Sequence, residues 1–123
     1  MTSSESLTQV VLRLENGTEM SFRGRLFAEA MWHDGDTETT THHRLYATET
    51  GEHVYALMKS CGRRRACRAY RVSTRGNRCT VWDGRDAAVL PLQALTAAIR
   101  LLCGRHAGEF AEQAEAMLRS ASV

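Results

Sequence analysis

Apolar residues recur at every second position up to about Asp83 and at helical spacing after it. A period of two belongs to strands with one buried face, and a period near 3.6 belongs to helices. The chain therefore divides into a sheet-forming part followed by a helical part. Leu7 to Glu15 alternates through Val10, Leu12 and Leu14. Glu19 to His33 alternates for longer, with Met20, Phe22, Leu26, Ala28, Ala30 and Trp32 on one parity and Ser21, Arg23, Arg25 and Glu29 on the other. That regularity predicts a long strand with a single apolar face. Asn16-Gly17 lies between the two runs and signals a hairpin, because both residues tolerate positive φ. A two-residue loop would set Leu12 opposite Ser21. Shifting by one sets Leu14 opposite Met20 and Leu12 opposite Phe22 and keeps one face apolar, so a three-residue loop with a bulge is expected.

Asp34-Gly35-Asp36, Thr50-Gly51, Cys61-Gly62 and Gly76-Asn77 are further turns. They delimit strands over 37–50, 52–60, 64–74 and 78–83, which makes six strands in an antiparallel meander. Beyond Asp83-Gly84, Pro91 suits the first turn of a helix, where its missing N–H is no loss. Leu92, Leu95, Ile99 and Leu102 form one stripe, and Gly104 is placed to end it. A second helix from about Ala107 to Ser120 buries Phe110, Ala114, Met117 and Leu118 and turns Glu109, Glu112 and Glu115 outward. The expected fold class is α+β, a six-stranded antiparallel meander with two C-terminal helices on one face. With 123 residues, 43% of them hydrophobic, the chain supports one core. Residues 7–123 read as a single domain, strands over 7–83 and helices over 91–120, preceded by a flexible tail over 1–6.

The net charge of +2 hides a segregated distribution. From His53 to Trp82 there is no carboxylate, and Lys59, Arg63, Arg64, Arg65, Arg68, Arg71, Arg75 and Arg78 give a local charge of +8. Residues 1–52 carry four arginines against nine acids. A two-residue loop at Gly76-Asn77 pairs Val72 with Val81 and Thr74 with Cys79 on the core side. It pairs Arg71 with Trp82 and Arg75 with Arg78 on the other side, where Arg63 and Arg65 share the parity. The expectation is a sheet face carrying five arginines and an exposed indole, suited to phosphates and stacking or to an acidic protein surface. The competing explanation is a genome-wide arginine bias, since fifteen arginines stand against one lysine, with the charges solvated and partly paired to the acids of the first half.

No motif assigns a catalytic residue, a metal site or a cofactor. Cys61, Cys67, Cys79, His42 and His43 supply metal-binding atoms without a Cys-x2-Cys knuckle, and adjacent histidines on a strand point to opposite faces. Cys61 beside Arg63, Arg64 and Arg65 could pair with His43 or His53 in a small Cys/His enzyme, although no local signature supports it. Asp34 and Asp36 belong to ordinary turn chemistry. Phosphate-loop and dinucleotide fingerprints are absent, and Gly104 to Gly108 reads as an interhelix turn. The start of the chain lacks a secretory pattern and no apolar run is long enough to span a membrane, so a cytoplasmic protein with its four cysteines as reduced, packed thiols is expected.

Phe22-Arg23-Gly24-Arg25-Leu26, then Leu45-Tyr46-Ala47-Thr48 followed by Gly51 and an apolar strand, resembles the central region of the bacterial EXLDI proteins over about residues 18–60. The motif that names that family is missing from the C-terminal part. The resemblance implies a bacterial or phage setting and carries over no activity. Together these readings lead to the expectation of a non-catalytic binding or regulatory module, an accessory or inhibitor protein of a bacterial or mobile-element system. Arg63, Arg65, Arg71, Arg75, Arg78 and Trp82 would meet nucleic acid, a nucleoprotein complex or an acidic protein surface. The alternative is a protein–protein module, a homodimer through the C-terminal helices, for which Leu90, Leu101 and Leu102 widen the apolar stripe.

Overall fold

The computed structural model describes residues 7–121; the tail expected over 1–6 lies outside them. Seven antiparallel strands follow one another in a single curled sheet, β1 (Thr8–Arg13), β2 (Glu19–Asp34), β3 (Thr39–Thr48), β4 (His53–Cys61), β5 (Arg64–Arg75), β6 (Arg78–Trp82) and β7 (Ala87–Pro91). Helices α1 (Leu92–Cys103) and α2 (Gly108–Ala121) complete the chain. The α+β class, the meander order and the two C-terminal helices agree with the sequence reading. The strand number does not, because Ala87–Pro91 pairs with β6 as a seventh strand. Those residues carry no alternation, and a proline is tolerated there because the strand lies at the sheet edge. Pro91 consequently precedes α1 in extended conformation (φ −62°, ψ 142°) instead of starting it. The first helical N–H, of Leu92, donates to the Asn77 carbonyl at 2.8 Å.

The β1–β2 connection has the expected three-residue loop, but its register lies on the other side of the two-residue one. Leu12 pairs with Met20 and Val10 with Phe22. The Leu14 N–H donates to the Thr18 carbonyl at 2.9 Å, and Gly17 sits at φ +88°. A loop of Glu15, Asn16 and Gly17 closes on that pair, with the glycine in the left-handed conformation such loops need. One face still stays apolar, which is what the register has to preserve.

The long alternation of β2 does not line one face. Leu26 pairs with Tyr46 but Ala28 pairs with Leu45, so Phe27 is an extra residue and the register shifts there. A bulge reverses which parity faces which side. Met20 and Phe22 therefore join an inner core with Leu12, Leu14, Tyr46, Val54, Ala56 and Ala69. Ala28, Ala30 and Trp32, on the same parity, join the core beneath the helices. Gly24 marks the bend ahead of the bulge, where an added Cβ would lie 2.5 Å from the Ala47 carbonyl oxygen. The first half of β2 can thus fold over the inner face with β1 beside it. The Glu15 N–H reaches the Cys67 carbonyl at 2.8 Å, and the Asn16 side chain donates to the Asp83 carbonyl at 3.0 Å. The end of β1 is thereby tied to β5 and the sheet curls toward closure.

On the opposite face, Leu45, Tyr55, Leu57 and Val72 receive Leu92, Leu95, Ile99 and Cys103 of α1 and Phe110, Ala114 and Leu118 of α2. Leu102, expected in that stripe, is 45% exposed, and Cys103 is buried in its place. Burial of each large side chain stabilises the fold by about 1.5–3 kcal/mol, so both faces of the sheet hold a core. Arg100 and Arg119 both bond to Glu115, which links the two helices.

Candidate functional site

The arginine register matches expectation. Arg71 pairs with Trp82 and Arg75 with Arg78, while Val72–Val81 and Thr74–Cys79 occupy the other parity. Arg65, opposite Ser60, shares the inner side with Arg71. That side is not an open platform. The β1–β2 hairpin covers its middle, and Trp82 is half-buried against the inner core instead of exposed. Arg71 donates from Nε to Glu52 Oε1 at 2.7 Å, with its side chain 23% exposed. Arg65 and Arg75 lie ten residues apart on one strand, about 33 Å at the usual rise. The six predicted contact residues therefore occupy three places. Arg63 and Arg65 stand at the β4–β5 turn, Arg71 and Trp82 are built into the middle, and Arg75 and Arg78 flank the β5–β6 turn.

The ion pairs sort the basic stretch further. Arg68 Nε meets Glu15 at 2.9 Å, which holds the guanidinium in its charged form, and Arg71 meets Glu52. Among the described residues, no carboxylate lies within ion-pair distance of Lys59, Arg63, Arg64, Arg65, Arg75 or Arg78. Several acids of the first half are engaged elsewhere: Glu29 with His42 and Arg44, Glu19 with Arg13, Glu49 with Arg23. Four unneutralised cations thus crowd the β4–β5 end of the sheet. The pairing offered by the bland explanation is realised for two of the eight.

Beside this cluster the inner face is open. The hairpin covers only the part nearest Gly24, and beyond it lies a cleft of about 640 Å³. Met31, Thr40, His42, Met58 and Arg65 line it from the sheet, and Val11 and Arg13 bound it from β1; Lys59, one strand over from Arg65, alternates to the helix side with Leu57. Met31 is 65% exposed and Val11 53%. Apolar side chains and two arginines, Arg65 without a carboxylate partner among the described residues, share one concavity. The cleft depends on the bulge at Phe27, which turns Met31 inward. Alternation alone had placed Met31 on the polar side, so sequence reading missed it.

The proposed Cys/His pairs are not formed. Cys61 is exposed at the end of β4, its thiol 3.5 Å from the Thr37 carbonyl oxygen. His43 pairs four residues back along β4, with Leu57, and His53 is at that strand's other end. The exposure also corrects the expectation of four packed thiols, since only Cys79 and Cys103 are buried. A different pair does form: Cys103 Sγ lies 4.0 Å from His43 Nδ1, and Tyr55 Oη lies 2.5 Å from the same nitrogen. Trp32 and Tyr55 stack on the imidazole, and Phe110 tilts against it. Burial, reinforced by the charges of His42 and Lys59, pushes His43 down to about 4. Burial also pushes the Cys103 thiol up to about 11 and raises Tyr55. All three groups are neutral near pH 7 and closed off from solvent, the opposite of an activated nucleophile. His42 and His43 face opposite sides, and no group of three metal-binding side chains stands together among the described residues. Asp34 Oδ1 accepts the Asp36 N–H at 2.9 Å, and that bond lowers the Asp34 carboxyl as a turn residue's would be. No helix among the described residues is long and apolar enough to cross a membrane.

Compared with known proteins, the chain matches no family model, no curated protein and no solved structure.

Proposed function

We propose that this chain is a non-catalytic binding module that holds nucleic acid, free or within a nucleoprotein complex, through the cations at the ends of β5. The observation that carries the reading is the absence of carboxylate partners for six of the eight cations between His53 and Trp82, judged among the described residues. Guanidinium groups left without protein counter-charges bind phosphate oxygens in bidentate fashion, and each contact releases counterions from the nucleic acid. Arg63 and Arg65, helped by Lys59 and Arg64, supply the main contact, and Arg75 and Arg78 supply a second. Arg71 and Trp82, first counted with them, serve the fold. A cytoplasmic accessory or inhibitor protein of a bacterial or mobile-element system fits this reading and the EXLDI-like segment.

Arg63→Glu with Arg65→Glu tests it, since both side chains are exposed. Binding to a labelled nucleic acid should weaken and lose salt dependence, by about one in the slope of log K against log salt for each phosphate contact removed. Unchanged affinity and slope would refute the proposal. A pull-down from bacterial lysate, with and without nuclease, separates a nucleic-acid partner from an acidic protein. The second reading, a homodimer through the helices, is favoured by Leu101, which α1 leaves 84% exposed. Light scattering of the chain and of Leu101→Glu should then give a dimeric and a monomeric mass.

A further inference from the structure

We infer that the cleft beside the basic cluster takes unstacked bases of a single nucleic-acid strand, while Arg13 and Arg65 hold the phosphates that flank them. The inference rests on the nucleic-acid reading above and selects the form of nucleic acid. A duplex turns its phosphates outward and keeps its bases paired and stacked. It could use the cations but would leave Met31, Met58 and Val11 in water. A single strand offers both chemistries at once, base faces for an apolar floor and phosphates for the cations beside it.

The geometry has both parts. Met31 and Val11 expose 65% and 53% of their surface in the same concavity as cations that have few protein partners. Arg65 comes from β5, and Arg13 comes from β1 on the other bank. Of the two, only Arg13 has a carboxylate near it among the described residues, Glu19 at 3.8 Å on an exposed pair, which is weak and screened by salt. Glu29, two residues before Met31, does not spoil the site, because His42 and Arg44 hold it. The cleft's 640 Å³ lies within the range of small-molecule sites, so bases can enter it. The floor carries methionine and valine in place of the usual aromatic rings. Polarisable thioethers contact π faces without base-specific hydrogen bonds, so recognition is tolerant of sequence.

The test compares a fluorescein-labelled oligothymidylate of about 15 nucleotides, near the upper size for one such surface, with a blunt duplex of the same length at low salt. The wild-type protein should hold the single strand about tenfold more tightly than the duplex, as thioether contact with one or two base faces supplies. Met31→Ser, which removes the apolar contact without adding charge, should weaken the single strand about tenfold and leave duplex affinity and Tm nearly unchanged, because Met31 is mostly exposed. Arg65→Glu should weaken both. Equal affinity for strand and duplex, or a Met31→Ser variant with wild-type strand affinity, overturns the inference while the nucleic-acid reading stands. Failure to bind either at low salt overturns both.

Discussion

Acid should unfold this protein partly through one buried imidazole. His43 is fully buried between Trp32, Tyr55 and Phe110 and is held down to about 4 from an ordinary 6.5. Burial is the main cause, and the positive charges of His42 and Lys59 add to it. Its Nδ1 contacts the Tyr55 hydroxyl, while Nε2 has no hydrogen-bond partner and could not be solvated if charged. The unfolded chain therefore takes up the proton first as pH falls. The stabilisation from keeping this ring neutral is complete above about pH 6.5, fades through the interval down to about 4 and is gone below it. One pKa unit corresponds to about 1.4 kcal/mol, so the difference amounts to about 3 kcal/mol, a large share of a small domain's stability. His53, also held down by burial, contributes in the same direction. Asp34, Asp83 and Glu115, held below the usual carboxylate range, keep their contributions down to that range and lose them only as pH falls through it. A comparison with His43→Phe isolates the one ring. Phenylalanine keeps the stacking, has no titrating nitrogen and leaves every other group in place. Urea unfolding of both proteins at several pH values between 7 and 4 should show wild type losing about 3 kcal/mol more than the variant across the interval. Parallel losses in the two proteins would refute the reasoning, whatever their absolute stabilities at pH 7.

Other outcomes follow from the same geometry. Gly24→Ala brings a Cβ to 2.5 Å from the Ala47 carbonyl oxygen, and this crowding should cost about 1–3 kcal/mol, read as a lower urea midpoint. Arg71→Gln should cost up to about 1 kcal/mol by breaking a partly exposed pair, and anisotropy should show nucleic-acid affinity changed far less than by Arg63→Glu with Arg65→Glu. In native protein, mass spectrometry after iodoacetamide treatment should find Cys61 alkylated quickly and Cys79 and Cys103 protected until denaturant is added.

What could be read before the structure depended on whether a rule acts within a few residues. The β5–β6 register was legible because a two-residue loop at Gly76-Asn77 determines every pair after it. The helices were legible because Phe110, Ala114 and Leu118 repeat at helical spacing, and the bounds fell within a residue or two. The bulge at Phe27 was not legible, because an extra residue in a strand leaves no mark when both neighbouring faces are apolar. Met20 and Trp32 share a parity and yet stand on opposite sides of the sheet. The seventh strand was hidden for a related reason, since Ala87-Ala88-Val89-Leu90 has neither alternation nor helical period.

The candidate site divides in the same way. That the charge is segregated is a property of the sequence and needed no structure. Which cations are free is a property of tertiary contacts between residues far apart in the chain. Glu15 reaches Arg68 only because the β1–β2 loop folds onto β5, and Glu52 reaches Arg71 because the β3–β4 turn leads into β4, whose first residues pair with Val72 and Arg71 of β5. Those contacts withdraw the centre of the arginine stripe and leave its ends. The same fold-back stops short of Met31, so the cleft and the free cations are two consequences of one bend at Gly24 and one bulge at Phe27. Straightening that bend would be expected to uncover the inner core and disperse the site together. Loss of stability and loss of single-strand binding in Gly24→Ala should therefore run in parallel, whereas Met31→Ser should separate them.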